Sequence, residues 1–193
     1  MTDPDPLALD ARKGLPPHLR VLADLYPKAE WQGHPNFNQL TAFWLERHGM
    51  FRQLNDLLVE GTEKRLDGAN PRYGREMQHY TSAFLNQLHG HHQIEDMHYF
   101  PVFTRAESGL KRGFDLLDND HHVIHDALER NAHGANGFLG KLGEGRDAAR
   151  YAADAYAKDT EDLVAMLLRH LEDEEDLIVP VILDRGEAKL GLM

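Results

Sequence analysis

The sequence predicts an all-α protein, an up-down-up-down four-helix bundle with a short N-terminal arm. Apolar residues recur at intervals of three and four along four long segments, and no segment shows the alternation of a strand. Connections of moderate length between these segments favour neighbouring helices that pack antiparallel. A pair of polar residues that is repeated on two apolar helix faces further indicates that the bundle interior is the functional site.

Composition limits the class of protein. The chain has 193 residues, of which 41% are hydrophobic, enough for one domain with a sizeable core. It has no cysteine, which excludes disulfides and iron–sulfur clusters and suits the reducing cytoplasm. The net charge of −11 argues against nucleic acid or an anionic membrane as the main partner. No apolar run approaches the roughly 18 residues of a membrane span, and the acidic N-terminus does not resemble a signal peptide.

The predicted elements follow in chain order. Residues 1–35, rich in Pro, Gly and charge, are expected to form an arm against the bundle, with a short helix in residues 15–26. The bundle is expected over residues 36–180 and a C-terminal tail over residues 181–193.

Four helices are predicted within the bundle. The first is expected to end near Gly61 and the stretch 67–71, and the third is followed by a Gly- and Asn-rich loop over residues 133–145. Pro180 is expected to end the fourth helix. The predicted bounds are residues 36–60, 72–105, 113–132 and 146–179.

The second and fourth helices carry the same polar motif. His91-x3-Glu95 recurs as His170-x3-Glu174, and each copy is followed by a proline at the same spacing. Residues four apart share one helix face, and each pair falls within an apolar stripe. A buried carboxylate without a partner is costly, and a bound metal ion would remove most of that cost. The repeat predicts a two-fold related helix pair with a shared polar centre.

Polar residues on the inward stripes of all four helices form the candidate site. Imidazoles suit iron, zinc and copper, and carboxylates can bridge two ions. Seven ligands exceed the coordination of one ordinary ion, and they fit two octahedral ions joined by both glutamates and a solvent-derived bridge, with a vacancy for a small ligand. The candidate ligands are His48, His91, Glu95, His121, His125, His170 and Glu174.

Several neighbours of these ligands receive other interpretations. In the acidic run of residues 172–176 the helical wheel places only Glu174 on the apolar stripe and turns Glu175 away. His98 falls on the ligand face, where it is a further ligand, a proton relay or a hydrogen-bonded core residue. The histidines that lie off the ligand rows are expected at the surface or behind the ligands, and these are His89, His92 and His122.

Two glycines interrupt the predicted helices beside candidate ligands. Gly49 follows His48 and Gly90 precedes His91. A glycine weakens a helix by roughly 1 kcal/mol relative to alanine. Either the helices simply tolerate these glycines, or each glycine allows close packing near the site.

The pattern resembles the hemerythrin-like family, also called HHE cation-binding domains, over roughly residues 36–180. That family has a single His on the first helix, His-x3-Glu on the second, His-x3-His on the third, and His followed by an acid on the fourth. The resemblance implies a non-haem di-iron centre, two iron ions with a bridging oxo or hydroxo group, that binds O2 or a related diatomic such as NO. The positions that match are His48, His91, Glu95, His121, His125 and His170.

The fourth helix departs from the oxygen-carrying members of the family. Those members have His-x4-Asp, which would point to Glu175, whereas the HHE branch has His-x3-Glu. The helical wheel and the internal repeat both favour Glu174.

Three functions are compatible with the sequence. The leading one is a di-iron protein that binds or senses O2, NO or iron, because a shell poor in carboxylates makes a milder centre than an oxidase needs. A ferritin-like oxidase or oxygenase is the second, but such sites carry Glu-x-x-His on two helices, and only Glu95-x-x-His98 is present. The third is a metal-free interaction module or a mononuclear zinc protein, in which both carboxylates must be protonated or hydrogen-bonded inside the core.

Overall fold

Helices account for every regular element of the computed structural model, which describes residues 5–66, 73–141 and 146–192. The all-α prediction is confirmed. A π-helical segment, Glu95–Tyr99, joins α3 to α4, and short 3-10 turns lie before α2 and before α5. Within the described ranges the α-helices are α1 (Val21–Leu25), α2 (Gln39–Leu66), α3 (Tyr73–Ile94), α4 (Phe100–Ala106), α5 (Lys111–Lys141), α6 (Arg146–Arg185) and α7 (Glu187–Leu190).

The long helices enclose two apolar clusters. Helix α2 packs against α3 and α6, and α5 packs against the same two helices. The first cluster is centred on Phe51, Phe84 and Leu167, and the second on Phe103 and Leu177. Along each long helix, the candidate ligands lie between residues of the first cluster and residues of the second, except His125, which has residues of the first cluster on both sides. The polar site therefore forms a layer between two apolar ones. No helix in the described ranges is long and apolar enough to cross a membrane.

The two prolines do not end their helices. Pro101 lies in the first turn of α4, a position where a missing N–H costs little. Pro180 lies inside α6, which continues to Arg185. Residues 177–183 of α6 are all buried. Their packing offsets the roughly 3 kcal/mol that a proline costs inside a helix, so the prediction of a helix end at residue 179 was wrong.

The other predicted helix ends also differ from those in the structure. Helix α2 continues through Gly61 to Leu66, and the predicted turn at residues 67–71 lies outside the described residues. Helix α5 continues to Lys141, so the loop predicted from residue 133 was wrong up to that point. Ala135 and Phe138 are buried there, and this packing outweighs the low helix propensity of the surrounding glycines.

The π-helical segment changes which residues of the second long helix face inward. Its wide turn begins at Glu95 and ends with the Phe100 N–H donating to the Glu95 carbonyl. After it, Phe100 and Phe103 are buried, whereas His98 is exposed. The helical wheel placed His98 on the ligand face because it assumed an unbroken α-helix, and that placement was wrong.

The N-terminal arm is part of the core. Leu9 belongs to the first apolar cluster, while Leu15, Leu19 and Trp31 belong to the second. The predicted short helix appears as a 3-10 turn, Pro17–Leu19, followed by α1.

Candidate metal centre

Two groups of potential ligands lie together in the polar layer. The four-residue group consists of His48, His91, Glu95 and Glu174, and the three-histidine group consists of His92, His121 and His170. Within each group, one ligand atom from every residue lies within 4.8 Å of the others. In the four-residue group, the Nε2 atoms of His48 and His91 are 3.1 Å apart. Nitrogens bound about 2.1 Å from one ion at right angles would be about 3 Å apart.

Glu95 connects the two groups. Its Oε1 lies 3.0 Å from Nε2 of His91, and its Oε2 lies 3.8 Å from Nε2 of His121. The indole N–H of Trp44 donates to Oε1 at 2.8 Å and so fixes the carboxylate.

Glu174 connects the groups from the opposite side. Its Oε2 lies 3.4 Å from Nε2 of His48 and 3.4 Å from Nε2 of His170. Each glutamate therefore contacts one histidine of each group, as the internal repeat of the sequence suggests.

The layer holds buried polar atoms without hydrogen bonds. Such atoms are costly unless water or an ion contacts them. Within the described residues those of the two groups are Nε2 of His92, His121 and His170, Oε2 of Glu95, and both carboxylate oxygens of Glu174. All of them are nitrogen or oxygen atoms that can bind a cation, so the residues present fit a metal centre.

Acidic side chains outside the groups orient three of the imidazoles. His48 donates from Nδ1 to Glu175 at 3.1 Å, and His121 donates from Nδ1 to Asp96 at 2.7 Å. His170 donates from Nδ1 to Asp120 at 3.4 Å. Each contact leaves Nε2 facing the centre. Metal-binding histidines commonly donate their other N–H to a carboxylate in this way.

Glu174 and Glu175 occupy different positions. Glu174 is fully buried in the four-residue group, whereas Glu175 lies behind His48 and also pairs with Arg52 at 2.7 Å. Burial raises the pKa of Glu175, but the contacts with His48 and Arg52 outweigh this and lower it to about 2. The helical wheel turned Glu175 toward solvent, but the structure buries it.

The N-terminal arm supports the centre through Asp120. The Arg12 guanidinium forms an ion pair with the Asp120 carboxylate and donates from Nε to Asp173 at 2.8 Å. Asp120 in turn accepts from His170. The pKa of Asp120 is lowered, because the hydrogen bonds from Arg12 and His170 outweigh the effect of burial, which raises it. Sequence reasoning missed Arg12 and Asp120, although Asp120 stands directly before a candidate ligand.

Burial sets the protonation of His91 and His92 on α3. It lowers the pKa of His91 to about 3 and lowers that of His92 well below its usual value. Both imidazoles are therefore neutral at neutral pH, which is the form that binds metal ions.

The pKa values of the two glutamates shift in opposite directions, although burial raises both. Burial and the nearby Glu174 carboxylate raise the pKa of Glu95 well above its usual value. Burial also raises the pKa of Glu174, but the neighbouring His170 outweighs it and the net shift is downward. Burial lowers the pKa of His170, while contacts with Asp120 and Glu174 raise it to about 9. The charges of the buried acids and histidines thus compensate one another through bound protons. Bound cations would replace those protons.

His125 is the one predicted ligand that the structure does not bring to the centre. It belongs to neither group, and its Nε2 lies 2.8 Å from Nδ1 of His89. Four residues advance a helix by about 6 Å, so His125 lies at a different level of the bundle from His121. At the level of His121 lies His92, which the helical wheel placed off the ligand row. The rings of His92 and His121 stack with centroids 3.8 Å apart.

No close packing contact requires the glycines beside the candidate ligands. A Cβ atom added at Gly49 or Gly90 would meet nothing within 4 Å. The helices therefore simply tolerate these two residues.

The fold and the site define a helical protein whose interior can hold cations. The chain belongs to the hemerythrin HHE cation-binding domain family, whose model matches residues 39–182. The resemblance inferred from the sequence is thereby confirmed. No curated protein and no solved structure matches the chain.

Proposed function

We propose that the protein is a non-haem di-iron protein that binds or senses a small diatomic ligand such as O2 or NO. One ion would be held by His48 and His91, and the other by His92, His121 and His170. Glu95 and Glu174 would bridge the two ions. The observation that supports this most strongly is that each glutamate contacts one histidine from each group.

The helices that carry the ligands are proposed to form an up-down-up-down bundle. Phe51 of α2 packs against Phe84 of α3, and Trp44, which lies earlier in α2, contacts Glu95, which follows α3. These two contacts imply antiparallel helices. Histidine contacts between α5 and α6, together with stacking of Phe138 on Tyr156, support the same arrangement for that pair.

The residues of this chain have distinct roles in the proposed centre. Five imidazoles and two carboxylates supply a shell rich in neutral ligands, and the acids behind His48, His121 and His170 keep their Nε2 atoms directed inward. Two bound iron ions would supply reversible binding of a diatomic ligand and neutralise the buried glutamates. The apolar clusters on both sides would exclude water from the layer.

An oxidase or oxygenase is a weaker proposal. The Glu95-x-x-His98 motif that suggested it is interrupted by the π-helical segment, and His98 is exposed. A ferritin-like centre needs such histidines among the inward ligands.

The test is anaerobic reconstitution of the metal-free chain with Fe²⁺, followed by exposure to O2. We expect two iron ions per chain, a visible charge-transfer band after exposure, and a lower melting temperature after chelation. A site that binds only the native state stabilises it by about 2.7 kcal/mol at a ligand concentration one hundred times Kd. Less than one ion per chain, with no change in melting on chelation, would refute the proposal.

A pair of variants tests the ligand set. His92→Ala removes a ligand from the three-histidine group and is expected to reduce iron to about one ion per chain, since a site that lacks one of its few ligands loses most of its affinity. His98→Ala, which changes an exposed histidine on the same long helix, is the matched control and should keep full loading. Equal iron content in the two variants, measured by elemental analysis, would remove His92 from the centre.

A further inference from the structure

A second pair of histidines lies outside the centre, between α3 and α5. Nδ1 of His89 and Nε2 of His125 are 2.8 Å apart, and the ring centroids are 4.7 Å apart. His89 is exposed and His125 is half-buried. The pair is therefore accessible from solvent, unlike the centre.

The separation of the two nitrogens suits a shared metal ion. Imidazole nitrogens bound at about 2.1 Å to one ion, with a right angle between the bonds, stand about 3 Å apart. His89 and His125 already have nearly this separation, so an ion would replace the proton that their hydrogen bond shares. Imidazole favours divalent transition metals such as Fe²⁺, Ni²⁺ and Zn²⁺, and water can complete the coordination at an exposed position.

The pair lies one helical turn from the centre on the same two helices. His89 precedes His92 by three positions on α3, and His125 follows His121 by four positions on α5. The buried rings of His92 and His121 stack with centroids 3.8 Å apart. The seam between α3 and α5 thus carries two successive pairs of imidazoles, an outer accessible pair and an inner buried pair.

An ion that enters the buried layer must lose its hydration. Only 5% of His92 and 4% of His121 are exposed, so water cannot accompany an ion to them freely. Moving an unpaired charge away from water is costly. Imidazoles placed at the surface can replace part of the hydration shell before the ion moves inward.

We propose that His89 and His125 form an outer uptake site, which binds a divalent transition-metal ion and delivers it to the three-histidine group. This inference rests on the proposed function, because it requires that the centre takes up metal ions.

Uptake kinetics test the delivery role. Metal-free chain is mixed with limiting Fe²⁺ without oxygen, and the rate of filling is followed for wild type, His89→Ala and His125→Ala. The control is His122→Ala, an exposed histidine on α5 outside the pair. We expect both pair variants to reach the iron content of wild type several-fold more slowly, and the control to fill at the wild-type rate.

Direct binding tests the outer site itself. Ni²⁺ is titrated into iron-loaded protein, and one further, weaker site is expected in wild type and in His122→Ala. That site should be absent from His89→Ala and His125→Ala, because each variant removes one of two protein ligands.

Three outcomes overturn the proposal. The first is equal filling rates in all variants, and the second is Ni²⁺ binding that persists without the pair. The third is a fall in the final iron content of His125→Ala, which would make His125 a ligand of the centre. In each case wild type still binds two iron ions. A wild-type chain that binds no iron refutes the proposed function as well, so the two failures are distinguishable.

Discussion

The two nitrogens of an imidazole have separate tasks in this site. In His48, His121 and His170, Nδ1 donates to an acid and Nε2 faces the polar layer. The acid fixes the tautomer and the ring orientation, and it increases the basicity of Nε2. Glu175 and Asp120 therefore support the site from behind the proposed ligands, which explains why an acidic chain buries further carboxylates there.

In the proposed di-iron centre, the adjacent glutamates of α6 are expected to differ in their effect on metal binding. Glu174→Ala removes a carboxylate that contacts His48 and His170, and we expect it to lose both iron ions. Glu175→Ala removes the acceptor of His48 Nδ1 and the partner of Arg52 but no residue of the two groups, and we expect two ions bound with affinity lower by about 10–100-fold. Iron content after dialysis, combined with titration of metal-free protein, measures both effects.

The opposite ranking would contradict this assignment. If Glu175→Ala loses the metal while Glu174→Ala retains it, the bridging role belongs to Glu175. Circular dichroism of each metal-free variant provides the control, since both must keep the helical content of wild type.

At the scale of the helices, the irregular turn after α3 determines which side chains meet. The π-helical segment begins at Glu95, and π-bulges frequently mark functional sites. The wide turn brings Asp96 within 2.7 Å of His121 and turns His98 to solvent. Phe100 then packs against Phe114 in the apolar cluster next to the layer. The wide turn thus sets the direction of both a site residue, Asp96, and a core residue, Phe100.

The glycines of the long helices give a prediction about stability. Gly90→Ala and Gly49→Ala add a methyl group into open space, and each is expected to stabilise the protein by about 1 kcal/mol through helix propensity. Gly113→Ala places a Cβ atom 2.8 Å from the Leu177 side chain. Overpacking of this kind costs about 1–3 kcal/mol and outweighs the gain in propensity. Urea unfolding of the metal-free chain measures all three variants.

The contrast between the open space at Gly90 and the filled space at Gly113 makes this prediction specific. A loss of stability in Gly90→Ala would mean that the glycine is required beside the centre. In that case the space around it is filled, contrary to the structure.

At the scale of the whole molecule, the arm and the bundle form one folded unit. Arg12 in the arm connects Asp120 of α5 to Asp173 of α6, and all three side chains are buried. Glu187, in the short last helix, accepts from the backbone and the hydroxyl of Thr41 at the start of α2. The N-terminal arm and α7 thus contact the long helices through buried charges.

Loss of the arm's guanidinium is expected to destabilise the entire molecule. Arg12→Gln leaves the buried Asp120 without its guanidinium partner and leaves Asp173 paired with Arg169 alone, and breaking a buried ion pair costs about 3–5 kcal/mol. The control is Arg20→Gln, in which an exposed pair with Asp24 is lost at less than about 1 kcal/mol. Denaturant unfolding measures both variants, and equal free energies of unfolding would show that the arm contributes no buried ion pair.

Several features were predictable from sequence because they are periodic along one helix. The His-x3-Glu pairs of the second and fourth helices fall on apolar stripes, so the burial of their side chains follows from the helical repeat alone. The spacing of histidines on four such helices also led to the correct family. The arm's Arg12 carried no such signal, because its partners are distant in the sequence and nothing local indicates them.

By itself, the sequence determined the helical class, the family and the burial of His91, Glu95, His170 and Glu174. Only the tertiary structure decided that His92 joins His121 while His125 meets His89, and that His98 faces solvent. The physical reason is that the period of one helix specifies its inward face. The level at which two helices meet depends on packing between them, and a π-helical turn changes the phase of every residue that follows.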